Sequence, residues 1–462
     1  MLKSVFFAVL LSSAQCLRAN EDVVSNVTFS QDPSTLQVTI GYSLAGDESK
    51  IITLDVLTNG VSIGFSNIRA AVGDVNRLVQ PGENKRILWR PDKSWPGWLL
   101  PQNEVQAVVI ARSENDPPDY MMIDIALGSQ SIPAAERTTY YEHPDQLPFP
   151  GGVTNEKCKT DYLVLRRCPA ANMTFRMGTT PEEHWEDPRW TTHLVTLTND
   201  FWMGVYEVTQ RQYQHFCAST AEFSQPSYFT ADAAMRPVES VKLLDLRGWN
   251  NQDDEGAKIA NGTRKVWPET GHEILQFDCS GKWGTGHTNI LWLVREITGQ
   301  QFDLPTDAQW ECAARAGRGG NLPDGTVYAD TIQGVTGFAR VSRMARFKGN
   351  SMISDDVNTN SWPAAEGGTA VVGTYAPNAW GLYDVCGNVA EWCLDNYGIF
   401  TADSVVDPVG PASPTKTSNQ NRSVRGGSWN HDTWYAVLTH REAMNGNTSK
   451  NWVGFRLCLT IP

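Results

Sequence analysis

NAWGLYDVCGNVAEWC, residues 378–393, is the stretch of this 462-residue chain that says most about its fold. Glycine, asparagine, aspartate and tryptophan follow one another there without the period of a helix or of a strand. The same irregular composition runs through most of the C-terminal two thirds of the chain. It predicts a compact domain with few long helices, which needs internal cross-bracing by disulfides or by a bound cation.

Five more blocks of the same character surround this stretch and keep a fixed order. They are FRMGTTPEEHWEDPRWTTHLVTLTNDFWMGVYEVTQRQY (175–213), RPVESV (236–241), FDLPTDAQWECAARAG (302–317), VRGGSWN (424–430) and VGFRL (453–457). Together the six blocks resemble the formylglycine-generating enzyme and sulfatase-modifying-factor family over roughly residues 172–460. The resemblance implies that family's fold, a compact variant of the C-type-lectin-like architecture with little regular secondary structure.

The chain N-terminal to these blocks has a different pattern. Val38, Ile40 and Tyr42 alternate with polar residues, as do later runs, so residues 20–145 are expected to form a small all-β sandwich. The Pro- and Gly-rich segment 143–153 predicts a linker. The fold class is therefore α+β, with the family-like domain over residues 146–462. Trp89, Trp95 and Trp98 provide either a carbohydrate-stacking surface or a loop that covers the sandwich.

Residues 1–19 combine Lys3, a short apolar run and small residues, which is typical of a secretory signal peptide and predicts a secreted, periplasmic or cell-surface protein. The apolar run is too short to span a membrane. A formal net charge of −13 disfavours nucleic acid as a partner. Eight cysteines follow Cys16 without paired CxxC spacing, so disulfides or buried thiols are favoured over a zinc cluster, and some disulfide content is expected.

The resemblance also shows what this chain lacks. In the formylglycine-generating enzymes, two cysteine thiolates that follow the GGS motif hold Cu(I). Counted without gaps from Gly426-Gly427-Ser428, these positions hold His431 and Ala436. Alanine has no ligand atom, so copper-dependent formylglycine synthesis is disfavoured.

Three residues near the GGS motif are candidates for chemistry. Ser428 aligns with an active-site serine of the family, or it only stabilises a tight turn. His431 and His440 could bind iron or copper, because imidazole suits both metals, but two histidines nine residues apart are a weak pattern. The alternative is that His431 is one more polar residue of the cleft.

A calcium site is the second expectation from the resemblance. Asp384, Gly387, Val389 and Glu391 match a family loop in which side-chain and backbone oxygens point inward, and Ca²⁺ takes six or more oxygen ligands. The alternative needs no metal, because Asp384 could cap a turn and Glu391 could pair with an arginine.

Three functions stay open from the sequence. One is a binding module for peptide or glycan on a degenerate enzyme fold. Another is an oxidoreductase of the formylglycine-generating and sulfoxide-synthase superfamily with a rearranged metal site around Ser428, His431 and His440. The third is an inert partner of a secreted sulfatase.

Overall fold

The computed structural model describes residues 23–94, 99–100, 104–180, 190–220, 223–231, 233–247, 265–266, 273–274, 289–328, 336–351, 367–411 and 421–462. The expected signal peptide, Trp95, Trp98 and Cys279 lie outside these residues. The chain folds as two compact units. Unit 1 runs up to Asp124 and includes Ile132–Cys158, and unit 2 comprises Ile125–Ser131 and Lys159–Pro462.

Unit 1 is built almost entirely of antiparallel strands. One sheet has the order β1-β2-β7-β5, and a second has β3 between β4 and β6, with β8 also paired to β3. The elements are β1 Val24–Gln31, β2 Val38–Leu44, β3 Lys50–Thr58, β4 Val61–Ser62, β5 Val72–Gly73, β6 Arg77–Val79, β7 Gly82–Trp89, β8 Val105–Arg112, β9 Tyr120–Asp124, helix α1 Ala134–Arg137 and β10 Thr138–Tyr141.

The predicted alternation explains the core of unit 1. Val38, Ile40 and Tyr42 of β2 are buried with residues of the second sheet in one hydrophobic cluster, as the period of two requires. Trp89, the one described tryptophan of the Trp-rich segment, is fully buried in this cluster. Trp89 is the last residue of strand β7 and is packed inside unit 1, so it belongs neither to a carbohydrate-stacking surface nor to a covering loop.

Residues 143–153 do not form an open linker. They contain the short 3-10 helix Pro144–Gln146 and lead into a second one, Gly152–Thr154. Leu147 and Val153 are buried. Compact packing therefore continues beyond residue 145, and the second segment of unit 1 extends to Cys158.

Unit 2 mixes short strands with short helices, and its elements follow one another as α2 Lys157–Thr160 at the boundary, β11 Tyr162–Cys168, β12 Met173–Met177, β13 His193–Leu197, β14 Phe201–Gly204, α3 Gln210–Cys217, α4 Leu243–Arg247, β15 Lys265–Val266, β16 Glu273–Ile274, α5 Ile290–Thr298, α6 Asp307–Arg315, α7 Gly337–Met344, β17 Ala390–Asn396, β18 Val405–Val406, β19 Asn421–Arg425, β20 Arg441–Asn445, β21 Val453–Gly454 and β22 Cys458–Thr460.

Two of these helices begin where the sequence indicates. Thr209 and Gln212 form a reciprocal capping box at the start of α3, and Thr306 and Gln309 form another at the start of α6. Each box satisfies two backbone N–H groups that a helix start leaves without partners. Trp310 of α6 is buried in the main core of unit 2.

The sheet that positions the candidate site has the order β20-β19-β17-β21. Within it, Glu391 of β17 lies opposite Arg425 of β19, and Val424 lies opposite Glu442 of β20. The ends of β17 and β19 thus bring the expected calcium loop and the GGS motif to neighbouring positions. Gly387 N–H donates to the Gly426 carbonyl at 2.8 Å, which connects the two loops directly.

The disulfide expectation is wrong for the cysteines that the structure describes. These are free thiols, and every one is buried: Cys158, Cys168, Cys217, Cys312, Cys386, Cys393 and Cys458. Burial raises the pKa of the Cys312 and Cys217 thiols to about 12, so both stay protonated and unreactive. Five of the seven belong to the main core, where they act as small hydrophobic residues.

None of the helices in the described ranges is long and apolar enough to cross a membrane.

Candidate functional site

The GGS motif forms a tight turn directly after β19. Gly426 and Gly427 have positive φ of 87° and 66°, a backbone conformation that favours glycine. The turn packs against the segment 433–436, a 3-10 helix, so closely that a Cβ on Gly427 would lie 2.6 Å from the Tyr435 carbonyl oxygen. The two glycines therefore fix where Ser428 lies.

Ser428 and His431 are hydrogen-bonded. Ser428 Oγ lies 3.1 Å from His431 Nδ1, and Asn430 N–H donates to Ser428 Oγ at 3.3 Å. His431 N–H also donates to the Ser428 carbonyl at 3.0 Å. The structure thus brings two of the three chemistry candidates together. It also shows the turn-stabilising bonds of the alternative interpretation, with Ser428 fully buried.

His431 lies among aromatic rings. Its imidazole stacks on Tyr435 at a centroid distance of 4.6 Å and meets the edge of Trp452, also at 4.6 Å. Burial lowers the pKa of His431 to about 4, because a charged imidazolium would lose its hydration there. His431 is therefore neutral at physiological pH.

A buried alanine occupies the position that aligns with the second copper-binding cysteine. Ala436 is fully buried in the main core at the end of the 3-10 helix. Its methyl group offers no ligand to a metal beside His431. The structure thus contains no thiolate pair at the aligned positions.

His440 does not complete a metal site with His431. The His440 ring packs at 4.5 Å against Tyr435, the same ring that stacks on His431, and at 4.8 Å against Trp190. Among the described residues, no three His, Cys, Asp or Glu side chains are grouped so that they could hold a metal ion. This geometry gives no support to an iron or copper centre on the two histidines.

The expected calcium residues are buried in a loop and at the start of β17, but their surroundings differ. Glu391 forms a buried ion pair with Arg456 at 2.6 Å and accepts a hydrogen bond from Trp310 Nε1 at 2.8 Å. Asp384 Oδ2 accepts from Gly373 N–H at 2.6 Å, whereas its Oδ1 is buried without a hydrogen-bond partner. The arginine pairing of the alternative is thus present at Glu391, and one carboxylate oxygen of Asp384 has no hydrogen-bond partner.

Glu207 is a third carboxylate at this loop that the sequence interpretation missed. Its oxygens accept from Asn388 Nδ2 at 2.6 Å and from Val389 N–H at 3.0 Å. Burial, together with Asp384 and Glu391, raises the pKa of Glu207 well above its ordinary value. Burial also raises the pKa of Asp384 to about 6. Nearby negative charge therefore adds to burial in disfavouring an ionised Glu207.

Comparison with known proteins agrees with the six ordered blocks. The sulfatase-modifying factor enzyme 1-like domain family matches residues 170–461, more than half of the chain. The chain belongs to the sulfatase-modifying factor family. The mouse formylglycine-generating enzyme is 25% identical over 319 residues, which cover 63% of this chain and 74% of the mouse protein. The Streptomyces coelicolor formylglycine-generating enzyme is 26% identical, over 57% of this chain and 79% of that enzyme.

A relative with a different name is similarly related. The chaperone protein LppX of Paenibacillus barcinonensis is 29% identical over 247 residues, which cover 51% of this chain and 71% of that protein. Among solved structures, Treponema denticola variable protein 1 matches with a TM-score of 0.42 at 23% identity, over 64% of this chain and 95% of that chain. PvdO from Pseudomonas aeruginosa matches with a TM-score of 0.42 at 18% identity, over 64% and 94%.

This sulfatase-modifying-factor domain also contains a buried ionic network that no spacing rule reveals. Arg425 of the VRGG block contacts Asp307 and donates to Glu311 Oε2 at 2.8 Å, and Arg441 pairs with Asp307 at 2.6 Å. These side chains are all buried. The network ties β19 and β20 to helix α6 and thereby holds the strand from which the GGS turn starts. The only signal in the sequence is the arginine directly before the glycines.

Proposed function

We propose that this chain is a peptide- or protein-binding member of the sulfatase-modifying factor family and not a copper-dependent formylglycine synthase. The observation that carries the proposal is at the aligned cysteine positions. Ala436 is fully buried there, and His431 is neutral and packed between Tyr435 and Trp452. An aromatic surface therefore replaces the two thiolates.

The relatives support binding of protein over binding of glycan. A relative named as a chaperone protein is 29% identical to this chain, and that name denotes action on proteins and not on glycans. The enzymes among the relatives are named for the formylglycine that they generate. Recognition of a protein chain is an activity that a binding member could keep after losing the copper ligands. A secreted sulfatase is one such partner, if residues 1–19 direct export.

One experiment tests both halves of the proposal. The purified chain is incubated with Cu(I), oxygen and a peptide that contains the sulfatase cysteine motif, with the Streptomyces coelicolor enzyme as positive control. We expect no mass change of the peptide with this chain. The labelled chain is then applied to a peptide array and to a glycan array. Binding to peptides supports the proposal, whereas conversion of the cysteine, or binding to glycans alone, contradicts it.

A rearranged oxidoreductase is the second candidate, and the Ser428–His431 hydrogen bond favours it. A neutral imidazole at 3.1 Å from a hydroxyl could accept its proton. The redox half of such a reaction would need a metal. Elemental analysis of the purified chain by mass spectrometry would show stoichiometric iron or copper if this candidate were correct.

Calcium is the cofactor that we propose for the loop of Asp384, Gly387, Val389 and Glu391. Hard cations prefer oxygen donors, and these residues would offer two carboxylates and two backbone carbonyls; among the described residues the carboxylate side chains alone do not form a three-ligand group, so the carbonyls would be needed. Support comes from Asp384, whose Oδ1 is buried without a partner and whose pKa is raised by burial. Glu207 adds a third buried carboxylate. Bound calcium would neutralise these charges and brace a loop that has little regular secondary structure.

A further inference from the structure

An aromatic face borders the position of the missing thiolates. We define it as His431, Trp434, Tyr435 and Trp452, all of them only partly buried. Trp434 and Tyr435 lie 3.7 Å apart between ring centroids, and His431 contacts Tyr435 and Trp452 at 4.6 Å each. The four rings thus form one continuous surface that solvent can reach.

Glu442 adds a carboxylate to this face. Its Oε2 lies 3.9 Å from His431 Nε2, and one third of its side chain, 33%, is exposed. His431 is its only ionic contact within the described part of the chain. A neutral His431 cannot balance the charge of Glu442, and partial burial raises the pKa of Glu442 by disfavouring that charge. Asp432, which is exposed, extends the negative potential.

Aromatic faces and carboxylates attract the same class of group. The face of an indole or phenol ring carries negative electrostatic potential and binds an ammonium or guanidinium within about 6 Å of its centre. Both Glu442 and Asp432 act electrostatically on the Tyr435 hydroxyl, which places the two carboxylates and the ring in one field. A neutral sugar could stack on the same rings, but it would leave Glu442 without a counter-charge, and a phosphate would be repelled.

We propose that the aromatic face and Glu442 together bind an organic cation, the guanidinium or ammonium group of an arginine or lysine side chain. This inference rests on the proposed peptide-binding function and names the chemical group that the peptide must present. The planar guanidinium fits best, because it can stack on a ring while it donates hydrogen bonds to a carboxylate. A bound cation would balance Glu442, which His431 does not.

The test compares two probes of nearly equal shape. N-acetyl-arginine amide carries the guanidinium, and N-acetyl-citrulline amide replaces it with a neutral urea. Binding is followed by calorimetry and by tryptophan fluorescence of the full chain. We expect the arginine probe to bind at least tenfold more tightly than the citrulline probe, and to weaken as salt is added. Equal binding of the two probes, or no binding of either, would overturn the inference.

Matched variants locate the site. Glu442→Gln keeps the size of the side chain and removes its charge, and Glu296→Gln makes the same change on the exposed side of helix α5. We expect at least tenfold weaker arginine binding in the first variant and no change in the second. Tyr435→Phe should retain binding, because it keeps the ring face, whereas Tyr435→Leu should lose it. Unchanged binding in both Glu442→Gln and Tyr435→Leu would contradict the site.

Two further arms separate the sources of the cation and the two proposals. Tetramethylammonium and an arginine-containing peptide are compared with the single-residue probe. If the peptide binds more tightly than the single-residue probe, the cation comes from a protein partner. If the two bind equally, the natural ligand is a small free cation. If the array peptides bind without any enrichment in arginine or lysine, the peptide-binding function stands and the cation inference fails. If no peptide binds but tetramethylammonium does, the cation site stands and the proposed function fails.

Discussion

Arg456 holds Glu391 through Nη2 and Nε of its guanidinium, and both side chains are buried. Arg456 Nη2 donates to Glu391 Oε1 at 2.6 Å, and Nε lies 3.0 and 3.1 Å from the two carboxylate oxygens. The remaining guanidinium hydrogen bonds go to the carbonyls of Gly204, Val205 and Tyr383. Glu391 is therefore part of a buried ion pair in addition to its proposed role at calcium.

The first prediction follows from this pair. Glu391→Gln leaves the Arg456 charge buried without its main counter-ion, and breaking a buried pair from one side costs about 3–5 kcal/mol. We expect a loss of this size in the free energy of unfolding, measured by urea titration in chelator. The exposed control Glu296→Gln should stay within about 0.5 kcal/mol of the unaltered chain. A similarly small effect at Glu391 would show that the pair contributes little.

The second prediction separates calcium from this ion pair by changing Asp384. If calcium binds the loop, it stabilises the unaltered chain by about 2.7 kcal/mol at a hundredfold excess over Kd. Asp384→Asn should abolish most of this gain, because it removes a charge with an oxygen free for the ion. In chelator the same variant should be at least as stable as the unaltered chain, since burial disfavours the Asp384 carboxylate.

The measurement for calcium is thermal unfolding of both proteins in chelator and in added calcium, with elemental analysis of the bound ion. If melting of the unaltered chain is indifferent to calcium and no ion is found, the calcium assignment is wrong. Glu391→Gln alone could not decide this, because it disturbs Arg456 at the same time.

The third prediction concerns pH. Asp395 is buried and accepts a hydrogen bond from Asp307 N–H at 2.9 Å. Burial, and then the charge of Asp307, raise the pKa of Asp395 from 3.8 to about 8, despite Arg441 and Arg425 nearby. Between these two values the folded chain keeps a proton that the unfolded chain has released. This group therefore stabilises the fold at low pH, and its contribution is lost as pH rises from about 4 to about 8.

Asp395→Asn should flatten that part of the stability profile, because the amide cannot ionise and its oxygen can still accept from Asp307. Urea unfolding at half-unit pH steps measures it. The exposed Asp403→Asn serves as the matched control and should leave the slope unchanged. A slope that persists in Asp395→Asn would mean that another group, such as Glu239, whose pKa burial raises to about 7, causes it.

Local signals in the sequence predicted local structure well. The capping boxes at Thr209 and Thr306 and the alternation of β2 are confirmed, because each depends on residues within a few positions of one another. The six blocks predicted the family, which the domain match confirms. From the sequence, Ser428 and His431 were separate candidates three residues apart, and the hydrogen bond between them was not predicted.

What the sequence could not show are contacts between distant segments. Glu207 joins the loop of Asp384 across 177 positions and Arg425 meets Asp307 across 118, and no periodicity links such pairs. The disulfide expectation failed for a related reason, because cysteine spacing does not reveal whether sulfur atoms meet or pack apart among apolar side chains. Helix α6 and strand β19 carry the ionic network that supplies cross-bracing instead.

The fourth prediction tests whether the GGS turn needs glycine for space or only for its backbone angle. Gly427 and Gly317 have nearly the same φ, 66° and 72°. A Cβ on Gly427 would lie 2.6 Å from the Tyr435 carbonyl oxygen and 3.0 Å from Ala436 N, whereas one on Gly317 would meet nothing within 4 Å. Alanine at Gly317 should cost about 1 kcal/mol, the usual penalty of the left-handed region. Alanine at Gly427 should cost at least about 2 kcal/mol more, because backbone atoms must move.

That movement should also separate Ser428 from His431 and disturb the aromatic face, so the tryptophan fluorescence of the folded protein should change in Gly427→Ala alone. Equal losses of stability in the two variants would show that the backbone angle, and not the contact with Tyr435, is what the second glycine of the motif provides.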